Sequence, residues 1–301
     1  MTTIKTVALA GASGNIGSAI IKALLNAGFS VSALTRPGSA QSFPPEVKVV
    51  DVDYEDMNSV NAALKGQDAL VSAVGYMGIL GQKQLVDAAI LNGVKRIIPS
   101  EYGADQEVAA ARQLPVFGHK VQVEHYIKEK VQGTSTTYTL VCNNAFFDWD
   151  LDHKFSVDIP GKKMEIFDGG DVSLTVTPLD FVARGVTSVL QHPDETANRV
   201  VRLHGASITM NRLLETVQRY AGKDGWSVSH ASTEDREREA YGALGKDPAD
   251  FVAWAIPMLQ CTVWGRKFGG DFSQHNDNAL LGLKELSDAE IEEIVRRRAE
   301  S

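Results

Sequence analysis

The chain has a glycine-rich segment, Gly11-Ala12-Ser13-Gly14-Asn15-Ile16-Gly17, between an apolar run at Thr6–Ala10 and apolar residues at helical spacing over Ala19–Leu25. A glycine-rich turn between a strand and a helix is typical of a dinucleotide-binding fold. There, Gly11 would allow the tight turn and Gly17 the close packing of helix against strand. Phosphates would lie on free N–H groups at the positive end of the helix dipole. The predicted phosphate contacts are Gly11, Ser13, Gly14, Asn15, Ile16 and Gly17.

Strand-like and helix-like segments alternate from this loop to Cys142. Strands are predicted at Ser30–Leu34, Val47–Val50, Ala69–Val74, Val94–Pro99 and Tyr138–Cys142, and helices at Ser59–Leu64, Gln82–Asn92 and Phe117–Val131. This alternation predicts an α/β fold, a Rossmann-type doubly wound parallel sheet that the strand at Tyr138–Cys142 completes. We expect a dinucleotide-binding domain at residues 1–144 and a smaller α+β substrate lobe at residues 145–301, parts of which can return to the first domain.

Irregular segments and helices share the second half of the chain. Helices are predicted from near Pro178, at Met210–Tyr220 and at Ser287–Arg298, and the charged stretch Thr233–Glu239 is interpreted as a solvated helix face. The apolar stretch Phe251–Met258 has two interpretations, a cap on the substrate pocket or core of the small lobe, and the second is favoured.

Composition excludes several classes of protein. The 301 residues are 44% hydrophobic and 23% charged, with a net charge of −8 and no basic region of the kind that nucleic acid requires. Cys142 and Cys261 lie far apart, without the spacing of a metal site, so no metal is expected. No apolar run approaches the roughly 20 residues that cross a bilayer. The N-terminus does not resemble a signal peptide, and we expect a cytoplasmic protein without a membrane partner.

Cofactor choice is predicted from the end of the second strand, Ala33-Leu34-Thr35-Arg36-Pro37. An NAD enzyme usually has a carboxylate there for the ribose hydroxyls, and this chain has none. The guanidinium of Arg36 could instead bind a 2′-phosphate, which would select NADP(H). Further cofactor contacts are predicted at Asp51 and Val52 beside the adenine, and beneath the middle of the cofactor at Ser72, Ala73, Val74 and Gly75.

The glycine spacing, GxxGxxG, resembles the short-chain dehydrogenase/reductase superfamily, whose usual catalytic motif is Tyr-x-x-x-Lys. The literal match at Tyr126 to Lys130 is too close to the strand at Tyr138, because the superfamily lysine lies most of a helix upstream of that strand. Lys120 has the expected position, and Val116 occupies the place of the tyrosine. Lys120 is therefore the predicted catalytic residue.

The absence of the usual tyrosine is one feature of a second resemblance, and the run Arg96-Ile97-Ile98-Pro99-Ser100-Glu101-Tyr102-Gly103 is another. Together they resemble the isoflavone reductase-like branch of atypical short-chain dehydrogenases, grouped with NmrA-like proteins. The resemblance is clear from the glycine loop through Asn144 and weaker beyond it. It implies that Ser100 and Lys120 lie near the nicotinamide, and that Lys120 assists proton transfer while NADPH delivers hydride. Tyr102 stands where the family more often has phenylalanine, which leaves the role of its hydroxyl open.

Residues after the sixth strand are expected at the nicotinamide end, because parallel sheets bind ligands at their carboxyl edge. Asn143, Phe146 and Phe147 are the candidates there, the first also as a cofactor contact, and Tyr102 is a further substrate contact. Aromatic lining would suit a ring-containing substrate. Glu124 is interpreted as a helix-surface partner of Lys120 or Lys128, and His119 and His125 as structural.

Two functions remain open on the sequence. The favoured one is an NADPH-dependent reductase of a small aromatic or polyketide-like metabolite, of the kind found in secondary metabolism. The alternative is a non-catalytic, NADP(H)-binding redox sensor of the NmrA type. Lys120 favours the enzyme, because a sensor has no need of an ammonium beside the nicotinamide. An epimerase or dehydratase is disfavoured by the missing tyrosine, and a homodimer is compatible with the sequence.

Overall fold

The computed structural model describes residues 2–300. Its strands and helices form two connected regions. The strands are β1 (Thr6–Ala10), β2 (Ser30–Thr35), β3 (Lys48–Asp51), β4 (Ala69–Ser72), β5 (Arg96–Ile98), β6 (Thr137–Cys142), β7 (Ala145–Phe146), β8 (Val157–Asp158), β9 (Lys163–Phe167), β10 (Leu174–Thr177), β11 (Arg199–Arg202), β12 (Ala206–Ile208) and β13 (Ser227–Ala231). The α-helices are α1 (Asn15–Asn26), α2 (Met57–Leu64), α3 (Gln82–Leu91), α4 (Ala109–Arg112), α5 (Gly118–Lys130), α6 (Phe147–Asp152), α7 (Leu179–Gln191), α8 (Met210–Ala221), α9 (Thr233–Lys246), α10 (Phe251–Trp264) and α11 (Asp288–Ala299).

A seven-stranded sheet organises the first region, in the order β11-β6-β5-β4-β1-β2-β3. Every paired neighbour in it runs parallel, so the carboxyl ends of the strands share one edge. Ala10 at the end of β1 pairs with Leu34 on one side and Ser72 on the other. The strand order reverses direction at β1, which is where doubly wound sheets bind their ligands. The Rossmann-type fold that the sequence predicts is confirmed.

The prediction that β6 completes the sheet is wrong. Strand β11 pairs with β6 and extends the sheet by one strand. The helix before it, α7, also returns and packs against α1, with Phe181 and Val186 in the same core as Ile20. Residues 179–202 therefore belong to the first region, and the chain crosses between regions more than once. Sequence analysis missed this strand because its apolar part is only Val200-Val201, flanked by arginines.

Two three-stranded sheets, β12-β10-β7 and β13-β9-β8, form the second region with α6, α8 and α11. Helix α10 packs against α9 and against the turn Pro115–Phe117 that precedes α5. Its Trp254 and Met258 are buried in one cluster with Phe117, which favours the core interpretation for that part of Phe251–Met258, whereas Phe251 is only partly buried and Val252 is exposed. That core joins the second region to the start of α5. Within residues 2–300, the helices are all too short or too polar to cross a membrane.

Candidate active site

The predicted cofactor residues follow six neighbouring strands at one edge of the sheet. The glycine loop follows β1, Arg36 follows β2, and Asp51 and Val52 lie at the end of β3. Along the same edge come Ser72–Gly75 at the end of β4, Ser100 after β5 and Asn143 after β6. The fold thus brings residues far apart in sequence into one line, from β3 to β6.

The glycine loop lies directly against the end of β4. Gly11 has a φ of +74°, and a Cβ atom on it would lie 2.4 Å from the carbonyl oxygen of Ala73. A Cβ on Gly17 would lie 2.2 Å from the carbonyl oxygen of Gly11. Helix α1 begins after Gly14 without a side-chain cap, so its first N–H groups are available to an anion. The loop has the close approaches that phosphate binding by backbone requires.

Arg36 is exposed at the turn after β2. Among residues 2–300, no carboxylate oxygen lies within ion-pairing distance of its guanidinium. The nearest strand end carries Asp51, whose Oδ1 accepts a hydrogen bond from Thr35 Oγ1 at 3.0 Å. Val52 is fully buried, and its N–H donates to the carbonyl oxygen of Thr35 at 2.7 Å. Arg36 therefore offers an uncompensated positive charge at the end of β2, where the sequence predicts a contact with a 2′-phosphate.

Ser100 ties the ends of β4 and β5 together. Its Oγ donates to the carbonyl oxygen of Val74 at 2.8 Å, and its N–H donates to Gln82 Oε1 at 2.8 Å. Gln82 is a buried residue of α3 that sequence analysis missed. The sequence feature that could have identified it is a polar side chain among the apolar positions of that helix. The geometry makes Ser100 a support for the loop as well as a predicted cofactor contact.

Lys120 lies in the first turn of α5, within reach of the segment after β5. Its Nζ donates to the carbonyl oxygens of Glu101 at 2.8 Å and Tyr102 at 2.9 Å. An ammonium has three donors, so one remains for another acceptor. A neutral amine could keep both bonds to the carbonyl oxygens and would present its lone pair instead. The side chain can therefore give or take a proton without moving.

The surroundings of Lys120 adjust its proton affinity. Burial lowers the pKa of its ammonium, while the negative charge of the Glu101 carboxylate opposes that effect. A lysine with a lowered pKa exchanges its proton more easily near neutral pH. Gly103 has a φ of +133°, which favours glycine, and a Cβ there would be in ordinary contact with Nζ at 3.7 Å. Val116, in the place of the usual tyrosine, is buried in an apolar cluster and supplies no hydroxyl.

The Tyr126 to Lys130 motif lies at the other end of α5. Lys130 is the last residue of the helix, ten positions after Lys120, which is about 15 Å along the axis. The Tyr126 hydroxyl donates to the Asp87 carboxylate of α3, with both oxygens at 2.8 Å. Burial and this carboxylate raise the pKa of Tyr126 to about 12. These contacts agree with the prediction that the motif does not form the catalytic pair.

Glu124 pairs with Lys128, one of the two partners that the sequence predicts, but the prediction that it lies on the helix surface is wrong. This residue is 3% exposed rather than on the helix surface. Its carboxylate oxygens form 2.6 Å salt bridges with Arg112 of α4 and with Lys128. It forms no ion pair with Lys120. The pairing with Arg112 explains the burial, because a buried carboxylate needs a partner of opposite charge.

The two histidines of α5 have neighbours of their own. The His119 ring stacks on Tyr76 with centroids 5.1 Å apart, and Tyr76 also lies 4.2 Å from Phe251 of α10. His125 Nε2 lies 2.6 Å from Arg112 Nη2. A row of rings thus connects the segment after β4, the start of α5 and helix α10.

The substrate candidates differ in exposure. Phe146, at the end of β7, is partly exposed, whereas Phe147 is 1% exposed and lies in the core of the second region. Tyr102 is buried, and its hydroxyl has no hydrogen-bond partner among the described residues. The same is true of both amide atoms of Asn143. Of the two phenylalanines, Phe146 alone has surface to offer to a ligand, and the Phe147 assignment is corrected to a core role.

Comparison with known proteins agrees with this fold. Residues 3–228 match the NmrA-like family. Oxidoreductase poxI of Penicillium oxalicum is 31% identical over 293 residues, which cover 94% of this chain and 91% of that protein. Pinoresinol reductase 1 of Arabidopsis thaliana is 27% identical over 239 residues, which cover 72% of this chain and 75% of the relative.

Solved structures share the fold over the whole chain. The binary complex of leucoanthocyanidin reductase and NADPH from Vitis vinifera superposes with a TM-score of 0.79, at 20% identity, covering 98% of this chain and 100% of that one. The family match spans most of the first region and part of the second, including the glycine loop and Lys120. The chain therefore belongs to the NmrA-like family, as one of its isoflavone reductase-like oxidoreductases.

Proposed function

We propose that this protein is an NADPH-dependent reductase of a small aromatic or polyketide-like metabolite, with Lys120 as its proton-transfer residue. The observation that carries the proposal is the position of the Lys120 ammonium. It is held by two backbone carbonyl oxygens at the carboxyl edge of the sheet, at 2.8 and 2.9 Å. Burial lowers the pKa of this ammonium, and a lysine with a shifted pKa at the sheet edge where such folds bind ligands is a candidate for proton transfer.

The cofactor would lie along the sheet edge from β3 to β6. The close approaches of Gly11 and Gly17 form a cradle that a side chain would fill, which suits a pyrophosphate. Arg36 would hold the 2′-phosphate, with Asp51 and Val52 beside the adenine. Ser72–Gly75, Ser100 and Asn143 would line the nicotinamide half. The unpartnered amide of Asn143 is a polar group that a bound nicotinamide amide or ribose could satisfy.

The bound cofactor would supply a hydride, and the chain supplies the proton. Negative charge develops on the substrate atom next to the reduced carbon, and a fixed ammonium stabilises that charge. The third N–H of Lys120 can donate to that atom while the other two stay on Glu101 and Tyr102. Because these carbonyl anchors persist in the neutral amine, Lys120 can be reprotonated in place.

The aromatic substrate class is supported by rings on segments next to the carboxyl edge of the sheet. Phe146 is partly exposed, and the Tyr76 ring stacks on His119 and lies tilted against Phe251. Flat, weakly polar rings pack well on such side chains. Pinoresinol reductase 1 and leucoanthocyanidin reductase are named for ring-containing compounds, which agrees with this proposal.

A substrate panel tests the proposed activity. Aromatic ketones, enones and polyketide-like lactones are mixed with the protein and NADPH, and consumption of NADPH is followed by absorbance. We expect turnover of at least one aromatic compound. Binding of NADPH without turnover across the panel would favour the NADP(H)-binding sensor instead.

The protein is expected to bind NADPH at least tenfold more tightly than NADH. One bidentate contact between a guanidinium and a phosphate contributes about 1.5–3 kcal/mol, which is a tenfold effect or more. Fluorescence titration measures both affinities. Arg36→Ala should remove the preference, whereas Arg238→Ala, an exposed arginine of α9, should retain it. Equal affinities for the two cofactors in the parent protein would show that the 2′-phosphate site is misplaced.

A further inference from the structure

The residue whose backbone carbonyl oxygen accepts from Lys120, Glu101, has a buried carboxyl group without a contact that explains its burial. Glu101 follows β5 and is 1% exposed. No described residue donates a hydrogen bond to either of its carboxylate oxygens. Buried carboxylates are normally paired, because burial of an unpaired charge is unfavourable. An unpaired buried acid next to a proton-transfer group is therefore a candidate for a functional role.

Lys120 and Glu101 influence each other more than any other charged group influences either of them. Lys120 Nζ is bonded to the backbone carbonyl oxygen of Glu101 itself. Burial raises the pKa of the Glu101 carboxyl group to about 7, and Lys120 is the strongest charge opposing that rise. Burial lowers the pKa of Lys120, and Glu101 is the strongest charge opposing that fall. Each group thus favours the charged form of the other.

The remaining titratable groups around the pair are largely compensated by their own partners. Those that act on Glu101, Lys120 or the neighbouring thiol are Arg112, Glu124 and Lys128 from α4 and α5, Cys142 from β6, Asp105 from the loop after β5, and Arg202 from β11. Glu124 is bridged to both of its cations, and Asp105 is bridged to Arg202 at 2.6 Å. Burial raises the pKa of Cys142 well above its usual value, so the thiol stays neutral. Lys120 and Glu101 are left to compensate each other.

We infer that Glu101 is a positioning residue whose carboxylate holds the proton on Lys120, so that the two side chains titrate as one pair. The inference rests on the proposed function of Lys120 as proton donor. Above about pH 7 the carboxylate is ionised and stabilises the ammonium. Without that carboxylate, the ammonium should lose its proton at a lower pH. Turnover that depends on the ammonium should then fall at a lower pH as well.

The pKa of Lys120 can be measured without any substrate. In protein labelled with carbon-13 lysine, the Lys120 Cε resonance is assigned by its loss in Lys120→Met and followed against pH by NMR. We expect Glu101→Gln to lower the pKa of Lys120 by about one unit, a tenfold change in its proton dissociation constant. Glu101→Asp, which keeps the charge, should restore part of the shift. The matched control is Asp150→Asn, which removes a buried carboxyl group of α6 whose pKa is also raised, to about 6.

The parent protein provides a second measurement that needs no variant. Its Lys120 resonance should show a separate inflection near pH 7 as Glu101 ionises. An equal Lys120 pKa in the parent and Glu101→Gln, or a parent titration without that inflection, would overturn the inference. A lowered pKa in a protein that reduces no compound would leave the pairing intact and contradict the proposed reductase. A Lys120 pKa that is unchanged in Glu101→Gln, together with a large loss of turnover in Lys120→Ala, would overturn the inference and leave the proposed reductase intact.

Discussion

Lys120→Ala is expected to fold, to bind NADPH and to lose turnover by about a hundredfold to ten-thousandfold, the usual effect of removing a general acid. The bonds of its Nζ to Glu101 and Tyr102 hold the loop after β5 only in part, because Gly103 also accepts from the N–H groups of Asn143 and Asn144. Loss of the ammonium should therefore lower kcat more than it changes the fold. Steady-state kinetics and an NADPH titration measure the two effects separately.

Lys130→Ala is the matched control, since the same residue type is removed from the same helix. Lys130 lies about 15 Å away along α5, over the ring of Tyr126, and should be dispensable. An essential Lys130 with a dispensable Lys120 would show that the protein uses the Tyr126 to Lys130 motif. If the parent protein reduces none of the compounds and both variants behave like the parent, the sensor function is favoured.

Local patterns were sufficient to predict the parts of the site that depend on local geometry. The glycine loop was predicted because glycines at this spacing between a strand and a helix allow a tight turn and close backbone packing. The structure shows those close approaches at Gly11 and Gly17. Lys120 was selected by its distance along the chain from β6. That distance corresponds to most of a helix, and the structure places this residue in the first turn of α5.

Contacts between distant segments were the parts that the sequence did not reveal. Glu124 was expected on the surface, since its partner Arg112 lies in a helix of only four residues that leaves no periodicity. Phe146 and Phe147 could not be separated, because the sequence does not show that a strand ends at the first and a helix begins at the second. Glu101 resembled a loop residue until its neighbours were known, since burial is a property of the surrounding structure.

Gly17→Ala is expected to destabilise the protein and to weaken NADPH binding more than tenfold. Alanine is the better helix former, so the substitution would be favourable if the helix alone decided. The added Cβ, however, would lie 2.2 Å from the carbonyl oxygen of Gly11 and 2.9 Å from the carbonyl carbon and oxygen of Ala12. Backbone atoms at those distances must move, and such overpacking costs about 1–3 kcal/mol. The move would displace the loop on which the phosphates are proposed to lie.

Gly242→Ala separates helix propensity from this clash, because it makes the same substitution in α9 at an exposed position with no atom within 4 Å of the added Cβ. It should raise the free energy of unfolding by about 0.5–1 kcal/mol and leave NADPH binding unchanged. Urea denaturation and fluorescence titration of both variants give the comparison. If Gly17→Ala were as stable as Gly242→Ala and bound NADPH like the parent, α1 would not pack closely on the loop, and the glycine at position 17 would have no bearing on cofactor binding.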